Sequence, residues 1–367
     1  MNHDSIPYEG FVDDCDSTCV VGWCWRTDRP SERVTVVVRR AGVEVARGVA
    51  DRFRRDLLHA GKGDGSHAFH VELPAELLRE HDRQRLSIGV EGTGFELAGS
   101  PVTVSRRIRE LIVNPLVFQR ALQAPPMHFG TLRVDISNTC NLDCVYCPTI
   151  ALRTKERLAL ADFEHFLAHN VTGLDNLAIG CGQEPTVSQE LCDFLEAAGR
   201  APLPPRELFM LITNGTLLHK HDWKRIAATR LNALFLSLDS TDADVLASVR
   251  CGSKLERIQD NVRGLLAAAP AIRLNLNIVV TTASFPGIER VVEWGEALGA
   301  VSFTLREMYY PPETARGAEL LEPLMLPPEH FAQLEERLTR RFGRERFCYA
   351  DRLHLRQEYE DWAPRLA

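Results

Sequence analysis

Several features are missing from the 367-residue sequence, and each absence excludes a class of protein. No run approaches 18 consecutive apolar residues, which excludes a transmembrane helix. The N-terminal residues, from Met1 to Pro7, contain neither a basic nor an apolar region, so no secretory signal peptide is visible. The formal charge of −7 provides no positive excess for nonspecific binding of nucleic acid. We therefore expect a cytoplasmic protein with no nucleic-acid partner and no membrane span.

The composition excludes two further classes. Glycine (24 residues) and proline (20 residues) are too few for a collagen-like or low-complexity chain. Hydrophobic residues account for 45% and charged residues for 25%, which is typical of a globular rather than a disordered protein. At about 150 residues per domain, the length predicts two or three domains.

Residues 1–105 carry the pattern of a small all-β domain. Runs that alternate in polarity or contain β-branched residues are separated by glycine-rich turns, such as residues 61–66. The predicted strands are residues 34–38, 43–45, 68–73, 86–90 and 102–104. Their spacing of roughly 10–20 residues favours an antiparallel, β-sandwich-like accessory domain.

From residue 129 to residue 325, apolar strands alternate with amphipathic helices. The predicted strands are residues 132–136, 174–179, 208–213, 233–238, 272–280 and 301–305, and the predicted helices are residues 161–169, 188–198, 219–228, 255–268 and 287–298. This alternation implies parallel strands joined by right-handed crossovers. Six units, fewer than a complete barrel contains, predict an α/β fold with a partial (β/α)6 TIM-type barrel. Residues 106–128 are expected to form a connector, helical to about residue 123, and residues 326–367 a C-terminal helical cap.

Ten cysteines need an explanation, since a reducing compartment does not favour a disulfide framework. Three of them, Cys140, Cys144 and Cys147, follow the first parallel strand with the spacing C-x3-C-x2-C. Thiolates are the ligands of iron–sulfur clusters, and three of them leave one iron of a four-iron cluster open. A structural zinc site needs four ligands, which this loop lacks. The loop also lies where active sites of parallel barrels gather.

With this motif, residues from about 127 to 310 resemble the radical S-adenosylmethionine (radical SAM) enzymes. The resemblance implies that Cys140, Cys144 and Cys147 hold a [4Fe–4S] cluster, whose open iron chelates the methionyl part of SAM. It also implies reductive cleavage of SAM to methionine and a 5′-deoxyadenosyl radical, which abstracts hydrogen from a substrate. An electron donor such as flavodoxin or ferredoxin is expected as a partner. Tyr146 matches an aromatic residue that lies near the adenine in this family.

The resemblance extends to further expected SAM contacts. The segment that ends in Glu184 resembles the family's glycine-rich motif, with Gln183 inserted, and the carboxylate would accept from the methionyl ammonium. Arg250, or alternatively Arg257, would pair with the SAM carboxylate. The expected cofactor-binding residues are Tyr146, Gly180, Gly182, Glu184, Thr213, Asn214, Ser237, Asp239, Arg250, Asn275 and Asn277. From the residues alone, the Asn-Gly pair after the third strand also fits a simple turn, and an asparagine buried in a strand needs only a partner.

The other cysteines are expected to do less. Cys15, Cys19 and Cys24 match neither the radical motif nor a closed zinc site, and we interpret them as core thiols. Cys181 and Cys251 are candidate catalytic hydrogen donors at the barrel mouth, although a packing role is the simpler interpretation for each. No four of the remaining thiols share a spacing suited to a second cluster, which predicts one cluster of about four irons. A single cluster favours a redox-neutral outcome such as epimerisation.

The substrate hypotheses depend on the N-terminal domain. Segments around Gly10, Trp23 and Phe53 resemble a β module of bacterial glycosyltransferases and surface-polysaccharide proteins. That resemblance implies a sugar or glycoconjugate substrate that is epimerised, dehydrogenated or deoxygenated. The alternative is a peptide-modifying maturase, in which the β domain binds a leader peptide by strand addition. A second alternative is a non-enzymatic iron–sulfur sensor or binding protein.

Overall fold

The computed structural model of the chain describes residues 7–74, 77, 83–105, 107–150, 153–309 and 318–350. The chain divides into two compact units, residues 1–109 and residues 110–367. The division falls inside the predicted connector, and the predicted domain limits at residues 105, 128 and 325 stay predictions. None of the described helices is long and apolar enough to cross a membrane.

The first unit contains two four-stranded antiparallel sheets, as the strand pattern predicts. In spatial order, one sheet consists of β1 (Tyr8–Cys15), β2 (Cys19–Arg26), β6 (Ser66–Glu72) and β5 (Arg52–Phe53), and the other of β4 (Val43–Ala50), β3 (Val34–Arg40), β7 (Arg83–Val90) and β8 (Val102–Ser105). A short helix, α1 (Arg55–His59), precedes β6. Val20 and Phe69 from the first sheet share one hydrophobic core with Val36 and Ile88 from the second. The alternation of buried and exposed side chains along these strands builds that core.

The second unit is built on an eight-stranded sheet, and its six central strands confirm the prediction of a parallel partial barrel. These strands are β10 (Met127–Val134), β12 (Val171–Ile179), β13 (Leu208–Thr213), β14 (Ala233–Ser237), β16 (Arg273–Val280) and β17 (Ser302–Glu307). Two further strands, β9 (Arg107–Val113) and β18 (Phe347–Ala350), form the two edges of the sheet. Because the six central strands are parallel, their carboxyl ends meet along one edge of the barrel.

Helices alternate with the strands of this sheet. They are α2 (Phe118–Leu122), α3 (Leu160–His169), α4 (Leu191–Arg200), α5 (Trp223–Ala228), α6 (Ala243–Val249), α7 (Leu255–Ala268), α8 (Ile288–Ala297), α9 (Ala318–Leu321) and α10 (Pro328–Phe342). Gly295 of α8 lies against Phe303 and Leu276, and Gly215 lies between Leu236 of the sheet and Ile258 of α7. Residues that alternate with Leu236, Leu276 and Phe303 along these strands therefore point to the opposite face, which is the inner face of the barrel.

Two parts of the helical prediction were wrong. The connector was expected to be helical to about residue 123, but residues 107–113 form the edge strand β9, and only residues 118–122 are helical. The C-terminal cap was expected to consist of one or two charged helices; α10 is such a helix, but β18 follows it and pairs in parallel with β17. The strand conformation of β18 follows from its alternating side chains, since Phe347 and Tyr349 lie on one face and both pack on aromatic side chains of α10. Residues 351–367 of the predicted cap lie outside the described residues.

Candidate cofactor site

The three motif cysteines lie on one loop at the carboxyl end of β10. Within this loop, the short strand β11 (Asp143–Cys144) pairs antiparallel with β15 (Arg250–Cys251), which follows α6. The amide of Val145 also donates to the carbonyl of Val249 at 3.0 Å. The loop begins at the carboxyl end of the parallel strand β10, and the ribbon joins it to the segment that follows α6. The loop therefore lies over the ends of the parallel strands.

The chemistry of the loop fits a thiolate-bound cluster. Cys140, Cys144 and Cys147 are free thiols. The first and the third lie close enough to Cys144 for their charges to raise the pKa of its thiol. Burial raises the pKa of Cys144 to about 12. In the described part of the chain, no three histidine, cysteine, aspartate or glutamate side chains are arranged to hold a metal ion as they stand. The assignment of a cluster to this loop therefore depends on the number and kind of its ligand atoms. Three thiolates suit an iron–sulfur cluster with one open iron.

A buried ion pair lies beside this loop. Arg250 donates to Asp239 through Nε at 2.8 Å and Nη2 at 3.0 Å, and the side chains of the two residues are 9% and 0% exposed. Tyr146 donates its hydroxyl to Asp239, and the Arg250 guanidinium lies 5.7 Å from the centre of the Tyr146 ring. Burial keeps the pKa of Tyr146 well above its usual range, so the phenol stays protonated. Three of the expected cofactor contacts are therefore bonded to one another. Arg257, the alternative partner for the SAM carboxylate, is exposed on α7.

Glu184 connects the segments that follow β12 and β13. Its carboxylate accepts from the Thr213 hydroxyl at 2.7 Å, from the Asn214 amide at 2.7 Å, and from the amide and hydroxyl of Thr186. Glu184 is only 3% exposed, and burial raises its pKa. The expected contact between Glu184 and a methionyl ammonium stays a prediction. What the structure shows is an acceptor that fixes two loops together.

A second polar network ties the cysteine loop to the segment after β13. Asn141 donates to the Thr216 hydroxyl at 2.8 Å and accepts from the Asn214 side chain at 3.1 Å. Asn214 in turn accepts from the hydroxyl of Thr216 at 2.6 Å. The Asn-Gly pair is therefore more than a simple turn, because its asparagine holds the neighbouring loop.

Asp135, two residues before Ser137 at the end of β10, is a site residue that sequence reasoning missed. Its carboxylate accepts from the backbone amides of Cys181 at 2.8 Å, Gly182 at 3.0 Å and Gln183 at 3.2 Å, and from the Cys181 thiol at 3.4 Å. Asp135 is 6% exposed, and burial raises its pKa. The available signal was a carboxylate directly after an apolar strand that ends at the barrel mouth.

Asp135 and Glu184 share an electrostatic feature. Both carboxylates are buried, and within the described residues no Lys, Arg or His nitrogen lies within 4 Å of either one. Each carboxylate is stabilised by neutral donors alone. Since buried charges are normally paired, a cationic ligand would compensate this pair of acidic groups.

The polar side chains on the inner face of β14 and β16 differ in their partners. Asn275 is fully bonded within the sheet: it accepts from the Ser302 hydroxyl at 2.6 Å and donates to the carbonyls of Arg273 and Leu234. Ser237 and Asn277 lie opposite each other in register and are half-buried. Among the described residues neither side chain has a hydrogen-bond partner, so both are available to a ligand.

The two candidate hydrogen donors lie in different environments. The Cys181 thiol donates to Asp135, and burial raises the pKa of this thiol well above its usual range. Cys251 is half-buried in β15, and its thiol points to the Ser248 carbonyl at 3.8 Å. In the first unit Cys19 and Cys24 are buried, and burial raises the pKa of Cys15 and of Cys24 to about 12.

Comparisons with known proteins agree on the second unit. Residues 134–287 match the family model of the Radical SAM superfamily, a stretch that contains the cysteine loop and the four parallel strands that follow it. The GTP 3′,8-cyclase of Synechococcus sp. (strain WH7803) is 33% identical over 152 residues, which cover 38% of this chain and 44% of that protein. The GTP 3′,8-cyclase of Erythrobacter litoralis (strain HTCC2594) is 26% identical over 184 residues, which cover 46% and 51%. The chain spans about half the length of the curated relatives it matches.

Similarity to solved structures is limited to the fold. Streptococcus suis SuiB bound to S-adenosylmethionine matches with a TM-score of 0.49 at 16% sequence identity, over 64% of this chain and 53% of that chain. The same protein bound to the precursor peptide SuiA matches with a TM-score of 0.47 at 18% identity, over 60% and 48%.

Proposed function

We propose that the protein is a radical SAM enzyme that cleaves SAM reductively and abstracts hydrogen from a substrate, since residues 134–287 match the Radical SAM superfamily. The observation that carries the proposal is the cysteine loop itself, because three free thiols at the mouth of a parallel barrel lie inside the matched region. Enzymes of this family use a [4Fe–4S] cluster and SAM. When bound, these cofactors supply a 5′-deoxyadenosyl radical.

The residues of this chain have separate tasks in the proposal. Cys140, Cys144 and Cys147 hold the cluster, since they are the thiols of the matched loop. Glu184 fixes the segment after β12 against Thr213 and Asn214, which shapes the backbone that faces SAM. Gly180 and Gly182 let that backbone pack against Pro185 and Asp135, and their contact with SAM stays a prediction.

The buried carboxylates around residues 181–183 favour the binding of a cationic cofactor there. Asp135 accepts from the amides of residues 181–183, and Glu184 directly follows this segment; neither carboxylate has a cationic partner among the described residues. SAM carries an ammonium and a sulfonium group. A ligand of this charge would compensate two buried acidic groups that neutral donors alone now stabilise.

The SAM contacts on β14 and β16 are assigned to Ser237 and Asn277. Both side chains point into the barrel and lack a partner in the described residues, so a ligand hydroxyl can bond to them without breaking an existing contact. Asn275 is a poorer candidate because its amide is already bonded to Ser302, Arg273 and Leu234.

For the substrate, a sugar or glycoconjugate is our first hypothesis. By register, Thr304 and Cys348 continue the row of Ser237 and Asn277 across β17 and β18. This row presents two hydroxyls, an amide and a thiol, all uncharged, which suits a hydroxyl-rich and neutral substrate. In an epimerisation, Cys181 or Cys251 would return a hydrogen atom to the substrate radical and become a thiyl radical, which one electron from the external donor and one proton would reduce to the thiol. No second cluster is needed for this outcome.

A peptide substrate is the second hypothesis, and the first unit contains a feature that favours it. Strand β4 is an edge of its sheet, and Val43 and Val49 on this strand are 68% and 45% exposed. An exposed edge strand offers unpaired backbone groups to which an extended peptide can add.

A flavodoxin or ferredoxin in the cytoplasm, where thiols stay reduced, would supply the electron for SAM cleavage with either substrate.

Reductive cleavage of SAM tests the proposal. The protein is purified without air, reconstituted with iron and sulfide, and given a strong reductant with SAM. We expect slow release of 5′-deoxyadenosine without substrate, and none from the variant in which Cys140, Cys144 and Cys147 are all alanine. A matched variant with alanine at Cys15, Cys19 and Cys24 should keep this activity. Equal release from wild type and the first variant would refute the proposal and favour a sensor or binding protein.

A further inference from the structure

The cysteine loop is attached to the barrel by very little backbone pairing. The ribbon of β11 and β15 has two residue pairs, Asp143 with Cys251 and Cys144 with Arg250, and one additional hydrogen bond from Val145. An isolated two-stranded ribbon, even one of ordinary length, is marginally stable in water. Other contacts must therefore keep this loop in place.

The side chains of Tyr146, Arg250 and Asp239 provide such contacts from three separate elements. Tyr146 belongs to the cysteine loop, between Cys144 and Cys147, while Arg250 lies on β15 and Asp239 follows β14 by two residues. The ion pair of Arg250 and Asp239 is buried, and the Tyr146 hydroxyl bonds to the same carboxylate. Loop, ribbon and barrel strand thus converge on one acidic side chain.

Asp239 has no remaining capacity for a ligand. Its Oδ1 accepts from Nη2 of Arg250 and from the amide of Val279 at 2.9 Å, and its Oδ2 accepts from Nε of Arg250 and from Tyr146. Each oxygen has two lone pairs, and all four are used. A bidentate guanidinium–carboxylate pair is also among the strongest hydrogen-bonded arrangements in proteins. Arg250 is therefore held by Asp239 in the ligand-free fold.

We propose that Tyr146, Asp239 and Arg250 are positioning residues that hold the cysteine loop over the barrel before any cofactor binds. The inference rests on the proposed function only for the identity of the cofactor. The contacts themselves belong to the apo chain, so they can be tested there.

Hydrogen–deuterium exchange of the apo protein tests the inference. In Arg250→Lys, which keeps the charge but loses the bidentate fork, we expect the amides of residues 143–146 to exchange at least about tenfold faster than in wild type. Tyr146→Phe keeps the ring and removes one hydrogen bond, and we expect about threefold faster exchange. The matched control is Arg225→Lys, because Arg225 forms a comparable but exposed pair with Glu196 and Asp193. This control should leave the exchange of residues 143–146 unchanged.

SAM affinity of the reconstituted protein separates the inference from its rival. If Arg250 bound the SAM carboxylate, Arg250→Lys would weaken SAM binding while the exchange of residues 143–146 in the apo protein stayed at the wild-type rate. That result overturns the inference, as does wild-type exchange in both variants. Where Arg250→Lys does not fold, the exchange of Tyr146→Phe decides alone. Failure of the proposed function would appear as an absence of cluster and SAM cleavage in wild type, and would leave the apo exchange result standing.

Discussion

At the residue scale, the barrel mouth is organised by three buried carboxylates. Asp135, Glu184 and Asp239 each follow a parallel strand, or the loop after it, and each accepts hydrogen bonds from neighbouring loops. By contrast, Ser237 and Asn277 have no partner in the described residues although they face the same barrel. The carboxylates therefore build the site, and the two neutral side chains are free to contact a ligand.

Two substitutions separate these roles. Glu184→Gln replaces an acceptor with an amide that presents hydrogen to Thr213 or Asn214, and we expect the unfolding free energy of the apo protein to fall by about 1–3 kcal/mol.

Ser237→Ala breaks no hydrogen bond of the described chain, so the unfolding free energy should change by less than about 0.5 kcal/mol. The same variant should weaken SAM binding about threefold to tenfold, because one hydrogen bond to SAM is lost. Denaturant unfolding and equilibrium dialysis measure the two effects, and wild-type SAM affinity in Ser237→Ala would contradict the assignment.

At the scale of elements, the junction after β12 depends on one glycine. Gly180 has φ +84, and an added Cβ would lie 2.6 Å from the Ile212 carbonyl oxygen and 2.7 Å from the Pro185 ring. The turn directs the Cys181, Gly182 and Gln183 amides onto Asp135. A side chain at this position would have to displace backbone.

Gly180→Ala should therefore lower the unfolding free energy by more than the cost of its left-handed backbone conformation alone. A left-handed conformation alone costs a residue with a side chain about 1–2 kcal/mol. Gly299→Ala is the matched control, because Gly299 has φ +77 but nothing within 4 Å of an added Cβ. We expect Gly180→Ala to lower the unfolding free energy by about 1–3 kcal/mol more than Gly299→Ala does, owing to the crowded site. Equal losses in denaturant unfolding would show that the loop relaxes without strain.

The elements also show what the sequence could and could not predict. The six central strands were predictable because each is a short apolar run followed by a helix, and the cysteine loop because its spacing is specific. Strand β9 was missed because its sequence, RIRELIV, alternates charge with apolar residues at a spacing that a helix also tolerates. Its strand conformation depends on pairing at the edge of the sheet.

Side-chain partners were the less predictable part of the site. The family resemblance identified Glu184, Asp239 and Arg250 as site residues, and alternation along the strand identified Asn275. Neither revealed that each is bonded within the protein. Partner choice depends on distances across strands, and those distances follow from the folded sheet. Asp135 was missed for the same reason, since its donors lie 46–48 residues away in the sequence.

At the scale of the whole molecule, the first unit has a core of its own. Valines and leucines from both sheets form one buried cluster that includes Cys24. The amide of Arg109 donates to Asp16 of this unit at 2.5 Å, which connects the last residue of the unit to the turn between β1 and β2. Residues 1–109 thus contain both the core and its closing contact.

A fragment of residues 1–109 should fold independently and bind no metal. A domain with a continuous core of its own can fold alone, and Cys19 and Cys24 are buried in it as thiols. Circular dichroism with cooperative thermal unfolding would show the fold, and metal analysis after reconstitution would show the metal content. Stoichiometric zinc or iron in the fragment would show that Cys15, Cys19 and Cys24 form a site.

The central claim is that one loop of three thiols holds a cluster with an iron open to SAM. Electron paramagnetic resonance of the reduced, reconstituted protein tests it most directly, because an open iron makes the spectrum sensitive to SAM. We predict a single [4Fe–4S] signal that changes shape when SAM is added, together with no signal when Cys140, Cys144 and Cys147 are alanine. A cluster signal that persists in this variant, or one that SAM leaves unchanged in wild type, would contradict the claim.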